Sequence, residues 1–133
     1  MKNSQITGHK LLIWSENPDK LHEFYRDVLG LKSGTRLTMK DDYGYDLVCA
    51  DGTGIWIGKH SEVKGKNKDK FRFILTLYTK DVYEWYEKLK DRKDIKILAK
   101  PFVTPPTRDK KVKRYCFTFL DPEGNCLQFM TRG

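Results

Sequence analysis

The residues able to do chemistry in this chain are scattered rather than paired. Cys49, Cys116 and Cys126 contain no Cys-x-x-Cys spacing. They make neither a zinc signature nor a disulfide framework, and are expected as reduced residues within strands. His9, His22 and His60 also lack the convergent spacing that a metal site needs. His22 lies two residues before Phe24 and is expected at the surface. Lysine and arginine number 26 against 18 aspartates and glutamates, a net charge of +8. Much of this excess sits in residues 59–70 and 100–114, which read as loops. A basic excess suits an acidic ligand or nucleic acid, but scattered lysine is a weak sign of groove recognition. No nucleic-acid motif is present, so solvated loops are expected and nucleic acid is not the expected partner.

The elements that must position these residues are easier to read. Phe117 and Phe119 alternate with Thr118 and Leu120, a strand pattern. Asp121-Pro122-Glu123-Gly124-Asn125 then supplies turn chemistry: Pro122 presets φ, Gly124 allows positive φ, and Asp121 or Asn125 can bond nearby backbone. A second strand follows, with Leu127 and Phe129 on one face and Cys126, Gln128 and Met130 on the other. Near the other end, residues 10–15 form a strand with Leu11 and Ile13 on one face and Lys10, Leu12 and Trp14 on the other. Asn17-Pro18 then opens a helix, with an N-cap followed by a proline at the first helical position. Leu21, Phe24, Tyr25, Val28 and Leu29 form its apolar stripe, and Gly30 caps its end.

Strands are expected at 31–39, 43–50 and 55–58, then a polar connector at 60–70. The order then recurs: a strand at 71–78, a helix opening at Thr79 or Lys80, a strand at 95–99, an irregular loop at 101–113 carrying Pro105-Pro106, and the closing hairpin. Val82, Trp85, Tyr86 and Leu89 repeat the spacing of Leu21, Phe24, Tyr25 and Val28. The 133 residues therefore read as one α+β domain of two βαβββ modules, about 8–59 and 71–131, forming a curved mixed sheet around a cleft. One face of each module's sheet is covered by its own helix, and the other face is left for a small ligand. Hydrophobic residues at 38% support such a core. No apolar run approaches the roughly 20 residues of a bilayer span. The first nine residues lack the apolar centre of a signal peptide, so a cytoplasmic protein without a membrane partner is expected.

Asn17-Pro18 through Phe24-Tyr25 to Leu29-Gly30-Leu31, with Asp121-Pro122-Glu123-Gly124-Asn125-Cys126-Leu127-Gln128-Phe129, resembles the first helix and C-terminal hairpin of the vicinal-oxygen-chelate superfamily. That superfamily includes glyoxalase I, extradiol dioxygenases, fosfomycin-modifying enzymes and bleomycin-resistance proteins. The resemblance implies the glyoxalase/bleomycin resistance/dioxygenase fold. In the enzymes it implies a divalent metal held by His, Glu or Gln, acting as a Lewis acid. Transferred position by position, those ligands fall on Lys10, Trp56, Ile74 and Gln128. Only Gln128 could ligate, and one neutral amide cannot hold a metal alone. Slipping the first strand to enlist His9 turns it towards the helix face.

The implied ligand lining is Lys10, Leu12, Trp14 and Trp56 from the first module. From the second it is Ile74, Thr76, Tyr78, Cys126, Gln128 and Met130, with Tyr43, Tyr45 and Asp46 as candidates for the rim. The expectation is a metal-independent protein that sequesters a small molecule, as a homodimer or an internally paired pseudodimer, with no cofactor. The alternative is a lyase, dioxygenase or thiol transferase holding Zn, Mn, Fe or Ni through His9, His60 and Glu123. A metal-free isomerase or lyase using Lys10 as base, and a regulatory or nucleic-acid-associated module using the basic loops, are further readings.

Overall fold

The computed structural model describes residues 5–104 and 113–132. The chain divides into two compact units, Met1–Lys66 and Asn67–Gly133, each with its own mixed sheet. In the first unit β1 (Leu11–Trp14) leads into α1 (Pro18–Glu23) and a π-helical turn (Phe24–Val28). The short strands β2 (Lys32–Ser33) and β3 (Leu37–Thr38) follow, then β4 (Tyr43–Val48) and β5 (Gly54–Gly58). The sheet order is β1-β5-β4-β2, with β3 also pairing with β4, and only β1–β5 is parallel. In the second unit β6 (Leu75–Tyr78), α2 (Val82–Leu89), β7 (Lys96–Val103), β8 (Tyr115–Leu120) and β9 (Cys126–Met130) assemble as β6-β9-β8-β7. There only β6–β9 is parallel. The two orders match once β1 is equated with β6 and β5 with β9. The α+β architecture of two βαβββ modules is therefore observed.

Local chemistry explains why α1 starts and stops where it does. The Asn17 side chain accepts from the Lys20 N–H at 3.3 Å, and Pro18 fills the first turn, where an N–H would have no helical partner. Gly30 leaves the helix at φ +80°, a conformation that costs glycine little. Between them Leu29 N–H reaches back to Phe24 C=O, widening the last turn. Leu21, Phe24 and Tyr25 are buried, as are Ile13, Leu47, Ile55 and Ile57 on the sheet face that α1 covers. Each such side chain contributes about 1.5–3 kcal/mol of burial free energy. In the second unit α2 packs on β8 and β9: Trp85 stacks on Phe129 at 4.6 Å, and Tyr86 meets Phe117 edge-on at 5.5 Å.

Three expected strands differ in extent. Residues 31–39 form two two-residue strands rather than one: Gly34 N–H still bonds Asp46 C=O in line with Ser33 opposite Leu47, but Leu37 then pairs with Gly44, so the register on β4 slips by one residue between the two pieces. The strand expected from residue 71 starts only at Leu75. Before it, Arg72 folds back on Asp69 through its N–H and its guanidinium. The strand expected at 95–99 runs on through Pro101 to Val103, with register shifts along β7. An edge strand tolerates proline because one side of it needs no ladder bond, and bulges absorb the mismatch. Pro105-Pro106 lies outside the described residues.

The 60–70 connector is tied to the closing hairpin. Asn67 N–H donates to Glu123 C=O at 2.8 Å, and its side-chain amide donates to Asn125 Oδ1 at 3.2 Å. Asp121 organises the turn itself. Its Oδ1 accepts from the N–H groups of Glu123 and Asn125, and its Oδ2 accepts from the Asn125 amide. Gly124 sits at φ +86°, where an added Cβ would lie 2.7 Å from Asn67 O.

Candidate functional site

Strand alternation gives each sheet a face turned away from its helix. In the first unit this face carries Leu12 and Trp14 of β1, Gly44, Asp46 and Val48 of β4, and Gly54, Trp56 and Gly58 of β5. Lys10, just before β1, forms an ion pair with Asp46, and its ammonium lies 5.8 Å from the centre of the Trp56 ring. Leu12 and Asp46 flank Trp56 directly across the sheet. The indole of Trp56 lies flat along the sheet, since a Cβ on Gly44 would come within 2.4 Å of its Cζ2 and one on Gly58 within 2.2 Å of its Nε1. Only glycine at both positions leaves room for that ring.

In the second unit the corresponding face carries Thr76, Tyr78, Gln128 and Met130, with Thr118 opposite Gln128. Gln128 Nε2 donates to Thr76 Oγ1 at 2.8 Å, so this amide is engaged within the sheet. Ile74 precedes β6 and is exposed, and Tyr78 is exposed beneath the Arg132 guanidinium at 4.1 Å. Cys126 is fully buried, and desolvation, followed by the Asp121 charge, raises its thiol pKa. Cys116 is raised by burial in the same way. The registers also place Leu12 beside Trp56 as Thr76 lies beside Gln128, so Lys10 and Ile74 hold equivalent places in the two units.

These four positions do not suit a divalent cation. One is an ammonium already paired with a carboxylate, one an indole, one an alkyl chain, and one an amide whose N–H is donated to threonine. Divalent metals need several oxygen, imidazole or thiolate donors together. Among the described residues no three His, Cys, Asp or Glu gather in a group that could hold one. His9 is exposed and borders an open depression of about 640 Å³ with Lys10, Asp46 and the 51–54 turn. His60 meets Trp14 edge-on at 5.1 Å, and its Nδ1 accepts from Glu62 N–H at 3.1 Å. Glu123 is buried in the closing turn.

Two expectations are corrected. His22 is buried rather than at the surface, stacked on Tyr45 with ring centroids 3.6 Å apart and planes 5° apart. Its Nδ1 faces the Pro18 and Asp19 carbonyls and so carries a proton, while Nε2 faces the Arg26 guanidinium at 3.4 Å. Tyr45 accordingly belongs to the helix face and not to a ligand rim. Its hydroxyl donates to Asp19 at 2.5 Å, and burial followed by that bond pushes its pKa up to about 12. The signal for this pairing was the parity of β4, which sets Tyr45 with Leu47 and Asp46 with Gly44. Asp46 as the partner of Lys10, and the glycine floor under Trp56, were the functional features that pattern reading passed over.

The family description Glyoxalase/Bleomycin resistance protein/Dioxygenase superfamily matches residues 8–129. No curated protein matches the chain. Among solved structures, the chain is similar to a glyoxalase I mutant from Zea mays, with 20% identity and a TM-score of 0.73 over 92% of this chain and 45% of that one. A member of the glyoxalase/bleomycin resistance protein/dioxygenase superfamily from Sphaerobacter thermophilus shares 19% identity and a TM-score of 0.71, over 93% and 95% of the two chains. An integron cassette protein from the mobile metagenome of V. cholerae shares 20% identity and a TM-score of 0.67, over 100% and 98%. At such identities these structures speak for the fold, whereas the family match covers nearly the whole sequence. The chain belongs to the Glyoxalase/Bleomycin resistance protein/Dioxygenase superfamily.

Proposed function

We propose that this protein binds a small molecule on the helix-free face of its sheets without a catalytic metal, as a sequestering member of the superfamily. The observation that carries this reading is the donor set at the family's metal positions: the Lys10–Asp46 ion pair, the Trp56 indole, Ile74, and Gln128 held by Thr76. Aromatic and aliphatic groups with a few fixed polar atoms are what a small-molecule surface needs. The working form we take to be a cytoplasmic homodimer. Its support is that β1 and β6 end their sheets as edge strands, which a second chain can cover, and that Cys49, Cys116 and Cys126 are free thiols. No helix among the described residues is long and apolar enough to cross a membrane.

The test is elemental mass spectrometry after dialysis against Zn²⁺, Mn²⁺, Fe²⁺ or Ni²⁺, followed by a thermal-shift ligand screen. The expected result is substoichiometric metal, and at least one compound that raises the melting temperature of the metal-free protein. Near-stoichiometric metal, lost in His9→Ala, would overturn the reading in favour of a metal-dependent lyase or dioxygenase.

A further inference from the structure

The β1–β5 ladder begins with Leu11 opposite Ile55, so Gly8, His9 and Lys10 stand outside it. Between this segment and the 51–54 turn lies the depression of about 640 Å³, within the roughly 300–1,000 Å³ of small-molecule pockets. Gly54 lines it, opposite Val48 of β4. A Cβ on Gly54 would lie 3.1 Å from Leu47 O and 3.5 Å from Val48 Cγ1, so a side chain there would crowd β4 as well as fill the floor. The charges around the depression are of both signs and come from different segments. Lys10 precedes β1 and Asp46 is on β4, with β5 between them, so their ion pair crosses that strand. Both side chains are nearly half exposed and within reach of a ligand. Asp51 adds a second carboxylate, oriented by accepting from Thr53 N–H at 3.0 Å and from Thr53 Oγ1 at 2.6 Å.

We propose that this depression binds a small zwitterion of the α-amino acid class, its carboxylate on Lys10 and its ammonium on Asp46. This rests on the reading of the helix-free face as the ligand face, and it names the ligand class. The charges decide between the alternatives. A simple cation takes Asp46 and leaves the Lys10 ammonium without a carboxylate. A simple anion takes Lys10 and leaves Asp46 without its cation, in a lining that already holds Asp51. An amino acid enters between the two side chains and replaces one ion pair with two, each a charge-assisted hydrogen bond. His9 lines the depression next to Lys10, and its imidazole carries a ring N–H in either protonation state, a second donor for the carboxylate. Val48, exposed on the same lining, offers apolar surface to the ligand's side chain.

The probes are L-phenylalanine, phenethylamine and 3-phenylpropionate, which share a phenyl ring and differ in charge. Each is titrated into the ¹⁵N-labelled full chain while the backbone signals of Gly52, Thr53 and Gly54 are followed. Phenylalanine is expected to move these signals and saturate. The two singly charged probes are expected to bind about fivefold more weakly, the loss of one exposed ion pair. Lys10→Gln is expected to weaken phenylalanine and phenylpropionate by about the same factor and to leave phenethylamine no weaker. Asp46→Asn is expected to weaken phenylalanine and phenethylamine and to spare phenylpropionate. Signals that do not move, equal affinity for the three probes, or unchanged phenylalanine affinity in either variant would each overturn the proposal. The first two outcomes are read on the unsubstituted chain, so they stand even where a substitution disturbs the fold. The same spectra separate the two readings. Compounds from the thermal-shift library that move the backbone signals of Thr76 and Gln128 but not those of residues 52–54 retain the ligand face and reject this site. Silence at both places across that library rejects both.

Discussion

Tyr45 shows how one side chain couples helix to sheet. Its ring lies on His22, its hydroxyl reaches Asp19, and both partners come from α1. Ionising it would place a second negative charge beside Asp19 in a buried site, so the folded state holds the phenol proton more tightly than the unfolded chain does. The sign follows from linkage: with the folded pKa raised from 10.0 to about 12, the contribution is full below pH 10 and is lost as pH rises towards 12. Denaturation followed across that range is therefore expected to show falling stability, and Tyr45→Phe to flatten the slope. At neutral pH the same variant is expected to lose roughly 1 kcal/mol, the net value of one hydrogen bond. An unchanged alkaline slope in Tyr45→Phe would assign the effect to another group.

At the scale of elements, two features decide whether strands meet in register. In the closing hairpin Asp121 accepts three hydrogen bonds while almost fully buried. Asp121→Ala strands those donors and is expected to cost about 2–4 kcal/mol in urea denaturation; a loss below 1 kcal/mol would mean that water substitutes freely. In the first sheet Gly44→Ala puts a methyl group 2.4 Å from the Trp56 ring and 2.6 Å from the Ile57 carbonyl oxygen. Overpacking of this kind costs about 1–3 kcal/mol. Trp56 fluorescence is expected to change with it as the indole is displaced, and an unaltered spectrum would contradict the flat ring. The hairpin was legible in the sequence because turn residues act locally. The Gly44–Gly58 floor was not, because a glycine's role there depends on a ring from a neighbouring strand.

Over the whole chain, the same strand order occurs twice, and each sheet ends in an unpaired edge, β1 and β6. Edge strands of that kind invite pairing, which is the physical ground for the proposed homodimer. Sedimentation equilibrium is expected to give twice the 15.7 kDa chain mass, and a monomer at all concentrations would remove the dimer from the proposal. Surface ion pairs such as Lys10–Asp46, with both side chains nearly half exposed, contribute at most about 1 kcal/mol and should weaken with salt. Their value here is positional: the pair holds the Lys10 ammonium 5.8 Å from the centre of the Trp56 ring.

The sequence by itself determined the two modules, both helices, the closing hairpin and the family, because periodicity, caps and turn residues are local physical signals. Only the tertiary structure decided how individual side chains are engaged: Lys10 by Asp46, Gln128 by Thr76, and His22 beneath Tyr45. It alone decided that Trp56 Nε1 and Asp42 Oδ1 are buried with no hydrogen-bond partner among the described residues. Such pairings join strands distant in the chain, and no spacing along the sequence encodes the distance between them.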